Sequence, residues 1–176
     1  MYSRVTLAGH PVHPMLIAYP VAGYTGTLVG FALYGATGQQ FWLNWTIALN
    51  IAGVGGALLA AVPGLIDWVA GVPRKSAAKT VGAIHAGLNV AALGLFGASL
   101  GVYAAHWDGP ATGATAGIVL SAVGLGCTLG AGFLGWTLVQ DFHIGVRLTT
   151  MQERDELAVQ KAQPIHLLHH RGTHTA

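Results

Sequence analysis

Apolar residues along this chain gather in four long runs, and the polar residues fall between them. The runs cover about residues 14–34, 44–69, 80–103 and 115–139. Each is near the roughly 20 residues that a helix needs to cross the hydrocarbon core of a bilayer, so the pattern predicts four membrane-spanning helices. Pro14 suits a first helical turn, where its missing N–H costs nothing, and it pushes His13 away from helical geometry. Pro11 acts likewise on His10. Residues 10–14 therefore read as a stiff, extended lead-in with His13 near the N-cap. Pro20 predicts a kink in the first span, and Pro63-Gly64 loosens the last turns of the second. The first run is as long as a spanning helix and longer than the apolar part of a signal peptide, so it is expected to stay in the mature protein.

Basic residues fix the expected orientation. Arg4 precedes the first span, Arg74, Lys75 and Lys79 lie between the second and third, and Arg147, Arg154, Lys161 and Arg171 follow the fourth. The other two loops hold neither Lys nor Arg. By the positive-inside rule both termini and the middle loop lie in the cytoplasm. Trp42, Trp45, Tyr34, Tyr103 and Trp107 then flank the outer ends, and Trp68 and Trp136 mark the inner side, as an interfacial belt. The expected fold is all-α, an integral membrane four-helix bundle over residues 1–148 with both termini cytoplasmic. A polar cytoplasmic tail, partly disordered, covers 149–176. Within it residues 151–163 read as a surface helix, and His166, His169, His170 and His174 form a His-rich end.

Composition agrees. The chain is 53% hydrophobic and 8% charged, far below the roughly 25% charged residues of a soluble domain. Its 26 glycines suit close approach of helices in lipid, and Gly26/Gly30, Gly97/Gly101, Gly113/Gly117 and Gly126/Gly130 are spaced to notch one helix face. The simpler reading is packing inside one bundle, although the same notches also allow a homo-oligomer seam. No repeat between the two halves is evident, which leaves an inverted-repeat transporter unsupported. A net charge of +2 makes no case for nucleic acid, and the expected contact is the lipid bilayer. The one cysteine, Cys127, excludes an intrachain disulfide and any Cys-based metal site.

The candidate chemistry sits at the cytoplasmic end. His10 and His13 precede the first span, Asp67 ends the second, His85 lies just inside the third with Asn89 one turn further along the same face, and Asp141 and His143 follow the fourth. Ionisable residues at membrane depth are rare and usually face the bundle interior. Two or three histidines with a carboxylate suit zinc, iron or copper, and two histidines from different segments can grip a haem iron from both faces. A c-type haem is excluded, because Cys-x-x-Cys-His is absent.

Gly9-His10-Pro11-Val12-His13-Pro14-Met15-Leu16-Ile17, with Tyr19-Pro20 just after, resembles the opening of a bacterial membrane family called domain of unknown function 2231. Pro63-Gly64-Leu65-Ile66-Asp67, then Ala83-Ile84-His85 with Asn89, resembles its next two signatures. Leu138-Val139 followed by Gly145-Val146 is similar to its closing motif, and the residues between them depart from the family pattern. The resemblance runs from about residue 7 to 148. It implies a four-helix membrane domain without an assigned activity, with His10, His13, Asp67, His85 and Asn89 as the family's positions. Related domains joined to Rieske or c-type cytochrome modules imply redox work, and this chain carries neither module.

The functional expectation is a redox-associated inner-membrane protein that binds haem b or a transition-metal ion near the cytoplasmic face. His10, His13 and His85 are the expected ligands, Asp67 and Asn89 orient them, and Asp67 and His143 are further candidate ligands. Respiratory or other redox membrane proteins are the expected partners. Two rival readings stand beside it. One is a non-catalytic membrane subunit or assembly scaffold, in which the polar cluster is structural glue. The other is a small proton or ion conduit through His85, Asp67 and His143, whose outer half offers only Asn44, Thr46 and Asn50. Hydrolase and transferase readings lack a Ser nucleophile paired with a base, a phosphate-binding Gly loop and His-Glu-x-x-His.

Overall fold

A computed structural model describes residues 3–146 and 148–162. Residues up to Val146 form one compact unit and those from Arg147 a second. The His-rich end expected at residues 166–174 lies outside the described residues. The first unit opens with a hairpin, β1 (Thr6–Leu7) paired antiparallel with β2 (His10–Pro11). Ala8 and Gly9 between them both have positive φ, 49° and 82°, as a two-residue hairpin turn requires. Helices α1 (Val12–Leu16) and α2 (Ala18–Thr37) follow as one apolar rod, then α3 (Gln40–Ile66), α4 (Ala77–Tyr103) and α5 (Thr115–Gln140). With their short extensions, four of these rods are long and apolar enough to cross a membrane.

Local chemistry sets the breaks. His13 lies inside α1, not at its N-cap, which is Pro11. The strain expected at Pro20 appears as an interruption at Ile17, three residues earlier, where α1 gives way to α2. Gly38, with φ of 66°, ends α2 and donates its N–H to Tyr34 O, a left-handed glycine cap. Pro63 removes one helical N–H, and α3 then widens into a π-turn over Asp67–Gly71. Ser76 caps α4 by accepting from Lys79 N. In the second unit, helix α6 (Thr150–Ala162), close to the expected 151–163, starts with a reciprocal Thr149–Gln152 capping pair.

The two halves of the bundle are repeats of each other, which the sequence reading did not detect. Ile47, Leu49, Gly53, Gly55, Leu58, Ala60 and Gly64 on α3 recur 71 positions later as Ile118, Leu120, Gly124, Gly126, Leu129, Ala131 and Gly135 on α5. On α1, α2 and α4 the offset is 72, and it matches His13 with His85, Tyr24 with Phe96, Thr27 with Ser99 and Phe31 with Tyr103. The packing repeats too. A Cβ on Gly53 would press on Tyr24 Cδ1 at 2.8 Å, and one on Gly124 would press on Phe96 Cε2 at 2.7 Å. Three of the matched pairs touch each other: His13–His85 at 6.3 Å between ring centres, Tyr24–Phe96 stacked at 3.7 Å, and Phe31–Tyr103 at 4.6 Å. A residue can meet its own counterpart only on the axis that relates the copies. Helices α2 and α4 run in the same direction, so this is a parallel repeat with its axis along the bundle. An inverted repeat is not what relates the halves.

The core follows that axis. Tyr24, Ala92 and Phe96 form its middle, and Phe31, Tyr34, Leu43, Ile47 and Tyr103 fill the end away from the basic loops. Tyr34 and Tyr103 were expected in an interfacial belt and are instead 4% and 1% exposed. Their hydroxyls pin the loop before α5. Tyr34 Oη donates to Thr112 O, while Tyr103 Oη donates to Gly113 O and accepts from Gly117 N. Burial exceeds that of a belt position because a phenol can satisfy loop backbone that would otherwise lie unpaired beneath the membrane surface. Of the four glycine pairs, Gly26/Gly30 packs against Leu49 and Thr46, whereas Gly97 and Gly101 meet nothing.

Candidate functional site

At the basic end the repeat builds two matching sockets. The His13 imidazole donates from Nδ1 to Ala60 O at 2.8 Å, lying across Gly64 one turn on. The His85 imidazole donates from Nδ1 to Ala131 O at 2.7 Å, lying beside Gly135 one turn on. In each case an Ala-x-x-x-Gly face on the second helix of a half takes a histidine from the first. The fit differs between them. A Cβ on Gly64 would stand 2.7 Å from His13 Nδ1, while one on Gly135 would stand 3.3 Å from His85 Cε1.

A carbonyl oxygen only accepts, so each neutral ring carries its proton on Nδ1 and keeps its lone pair on Nε2. The rings meet edge to face, at an interplanar angle of 83°, and both are half-buried. His85 Nε2 accepts from Asn89 Nδ2 at 3.2 Å, and the same amide nitrogen donates to His85 O at 2.9 Å. Asn89 therefore engages the ring nitrogen itself rather than its outer neighbour. The counterpart of Asn89 in the first half is Ile17, which offers His13 no such donor.

The remaining residues expected at this site do other work. Asp67 orients no imidazole. Its carboxylate accepts from Ser3 Oγ at 2.6 Å, Arg4 N at 2.6 Å and Val5 N at 3.2 Å, which fastens the N-terminal segment to the end of α3. The cause is local, since the π-turn begins at Asp67 and the hairpin brings two free N–H groups to it. His10 is exposed on β2, with Nδ1 donating to Ala8 O at 3.1 Å. His143 sits in the turn after α5 with φ of 52°. Among the described residues no group of three or more His, Cys, Asp or Glu can hold a metal ion. The structure thus brings together His13, His85 and Asn89, and it sets His10 and Asp67 to separate tasks.

Sequence reasoning placed Lys79 in the basic loop and Trp68 in the inner belt but did not pair them. Trp68 Nε1 donates to Lys79 O at 3.1 Å, Lys79 Nζ donates to Trp68 O, and the ammonium lies 4.1 Å from the centre of the indole ring. The apolar stem of the lysine runs inward while its charge finds a carbonyl and a π face. A tryptophan at the end of one span and a lysine at the start of the next, only eleven residues apart, were the available signal.

Four apolar rods with histidines paired near one end define a multi-pass membrane protein with a polar site inside its helix bundle. Residues 9–148 match the family described as Predicted membrane protein (DUF2231), and the chain belongs to it. No curated protein and no solved structure matches the chain.

Proposed function

We propose that the protein is a redox-associated membrane protein that holds a b-type haem between His13 and His85, with the basic end of the bundle facing the cytoplasm. The observation that carries this reading is the pairing of two equivalent imidazoles across the repeat axis, each tied through Nδ1 to a helix carbonyl. Such a bond fixes the ring and raises the basicity of Nε2 as a metal donor. The donor set fits haem better than a bare ion. Structural and catalytic zinc takes three or four protein ligands, whereas two imidazoles can suffice for a haem iron. The two ring centres lie 6.3 Å apart. When bound, such a haem would supply one-electron transfer. The chain's own part is orientation. The carbonyls of Ala60 and Ala131 hold the rings, and Asn89 can release Nε2 because its amide keeps the His85 carbonyl as acceptor.

The test is an absorption spectrum with iron and haem analysis on the full chain, purified after expression with added haem precursor. A Soret band at one haem per chain that His13→Ala and His85→Ala abolish and His10→Ala preserves supports the reading. Protein with neither a Soret band nor stoichiometric metal removes it. Orientation is read separately: Lys75→Cys should label only from the cytoplasmic side and Gly109→Cys only from outside. The second reading, a non-catalytic membrane subunit or assembly scaffold of a larger complex, draws on the bond between Asn89 and His85 Nε2, which satisfies that ring completely. It predicts that His85→Ala lowers stability without loss of any cofactor, and that a constant protein partner co-purifies.

A further inference from the structure

The repeat allows each buried polar group to be compared with its counterpart, and in the middle of the bundle the halves differ. In the middle of the bundle Thr27 and Ser121 close their own hydrogen bonds, donating to Gly23 O at 2.7 Å and Gly117 O at 2.6 Å. Their counterparts are Ser99 and Asn50. Ser99 Oγ has no partner, and Asn50 Oδ1 has none either, while Asn50 Nδ2 donates to Phe96 O at 3.2 Å. Thr46, one turn before Asn50 on the same face, also has an unpaired hydroxyl; its counterpart is Gly117, which has no side chain to satisfy. All three are 0–1% exposed. The bond to the Phe96 carbonyl sets the Asn50 amide against the turn of α4 that carries Ser99, and Thr46, one turn away on α3, turns its hydroxyl toward Gly30 of α2.

A buried polar group left unpaired costs folding free energy, and Thr46, Asn50 and Ser99, with Tyr24 Oη also unpaired in this core, together call for a partner. We infer that Thr46, Asn50 and Ser99 hold an internal water in the middle of the membrane, on one side of the axis only. A buried water makes two to four hydrogen bonds to groups left unpaired by the protein. These residues offer two hydroxyls that donate or accept and one amide oxygen that accepts. A sodium ion fits less well, because hard cations take six or more oxygens, commonly with a carboxylate, and the set has three neutral ones.

The experiment measures reversible unfolding of the full chain in bicelles for Thr46→Val, Ser99→Ala and the double variant, with Ser121→Ala as control. With a shared water, each single variant leaves that water short of a partner and lowers the folded-to-unfolded ratio, about fivefold as the expected size. The double variant then falls short of the product of the singles, since the two residues share one partner. In a dry core, removing an unpaired hydroxyl raises stability, and that sign overturns the inference. A rise in stability with sodium but not potassium also overturns it in favour of a cation. A structure resolving ordered waters gives an independent readout: a peak within hydrogen-bond reach of all three oxygens supports the site, and an empty region refutes it.

Discussion

Replacing Gly64 and Gly135 with alanine, one at a time, puts the paired sockets under the same chemical change with opposite expected signs. An alanine Cβ at position 64 would stand 2.7 Å from His13 Nδ1 and 2.9 Å from its Cε1. The ring must move, and the 2.8 Å bond to Ala60 O is lost. That bond is worth about 0.6–1.7 kcal/mol in a membrane bundle, and a crowded methyl adds about 1–3 kcal/mol. Helix propensity returns up to about 1 kcal/mol, so Gly64→Ala should destabilise by about 1–4 kcal/mol. At position 135 the nearest atoms of His85 are 3.3 and 3.5 Å away, which a small ring shift accommodates. There the propensity gain dominates, and Gly135→Ala should be neutral or stabilising by up to about 1 kcal/mol. Reversible unfolding in bicelles reads the energies. The ¹⁵N shifts of the imidazoles read whether His13 keeps its proton on Nδ1. If Gly64→Ala proves no more costly than Gly135→Ala, or His13 keeps its bonded Nδ1 signature in it, the socket argument fails. Any haem band should follow the same order, lost in Gly64→Ala and kept in Gly135→Ala.

Gly53→Ala and Gly124→Ala press a methyl on counterpart rings at nearly equal distances, so both should destabilise by about 1–3 kcal/mol. Unfolding energies that differ by more than that range would break the proposed equivalence. Asp67→Ala removes the acceptor of Ser3, Arg4 and Val5. Hydrogen bonds to a charged group contribute about 1.5–3 kcal/mol, so amide exchange at Arg4 and Val5 should speed up about tenfold or more; unchanged exchange would contradict the clamp. Tyr103→Phe leaves Gly117 N–H, inside a buried turn, without its phenol acceptor. A loss of about 1–3 kcal/mol is expected, and full stability would show that the loop is held by other means.

Four long apolar helices were legible in the sequence because lipid imposes a simple rule: polar backbone must be satisfied inside long apolar helices. His10 and His13 were both expected to meet His85 from an extended, proline-stiffened segment; only His13 does, and from within helix α1, while His10 stays exposed on the hairpin. The fate of Asp67 was not legible. Its partners are backbone N–H groups of residues 4 and 5, and backbone donors leave no mark in a residue pattern. The repeat escaped for a different reason. Its shared residues are Gly, Ala, Leu and Ile, which any membrane helix uses freely, and a one-residue change of offset between the first and second helices of each half blurs the register. Only when Tyr24 is found stacked on Phe96, and His13 beside His85, does the spacing acquire meaning. The buried positions of Tyr34 and Tyr103 were masked likewise, since an amphipathic ring reads the same at an interface and in a core.

Contacts between a residue and its own counterpart also bear on ancestry. A single helical hairpin could have built the same core by meeting a second copy of itself, with one histidine from each. Because both halves lie in one chain, a change at one side of the centre need not be copied to the other, so Asn50 differs from Ser121, and Asn89 from Ile17. The chain has what two identical subunits cannot have: a left and a right side at its centre, each open to separate change.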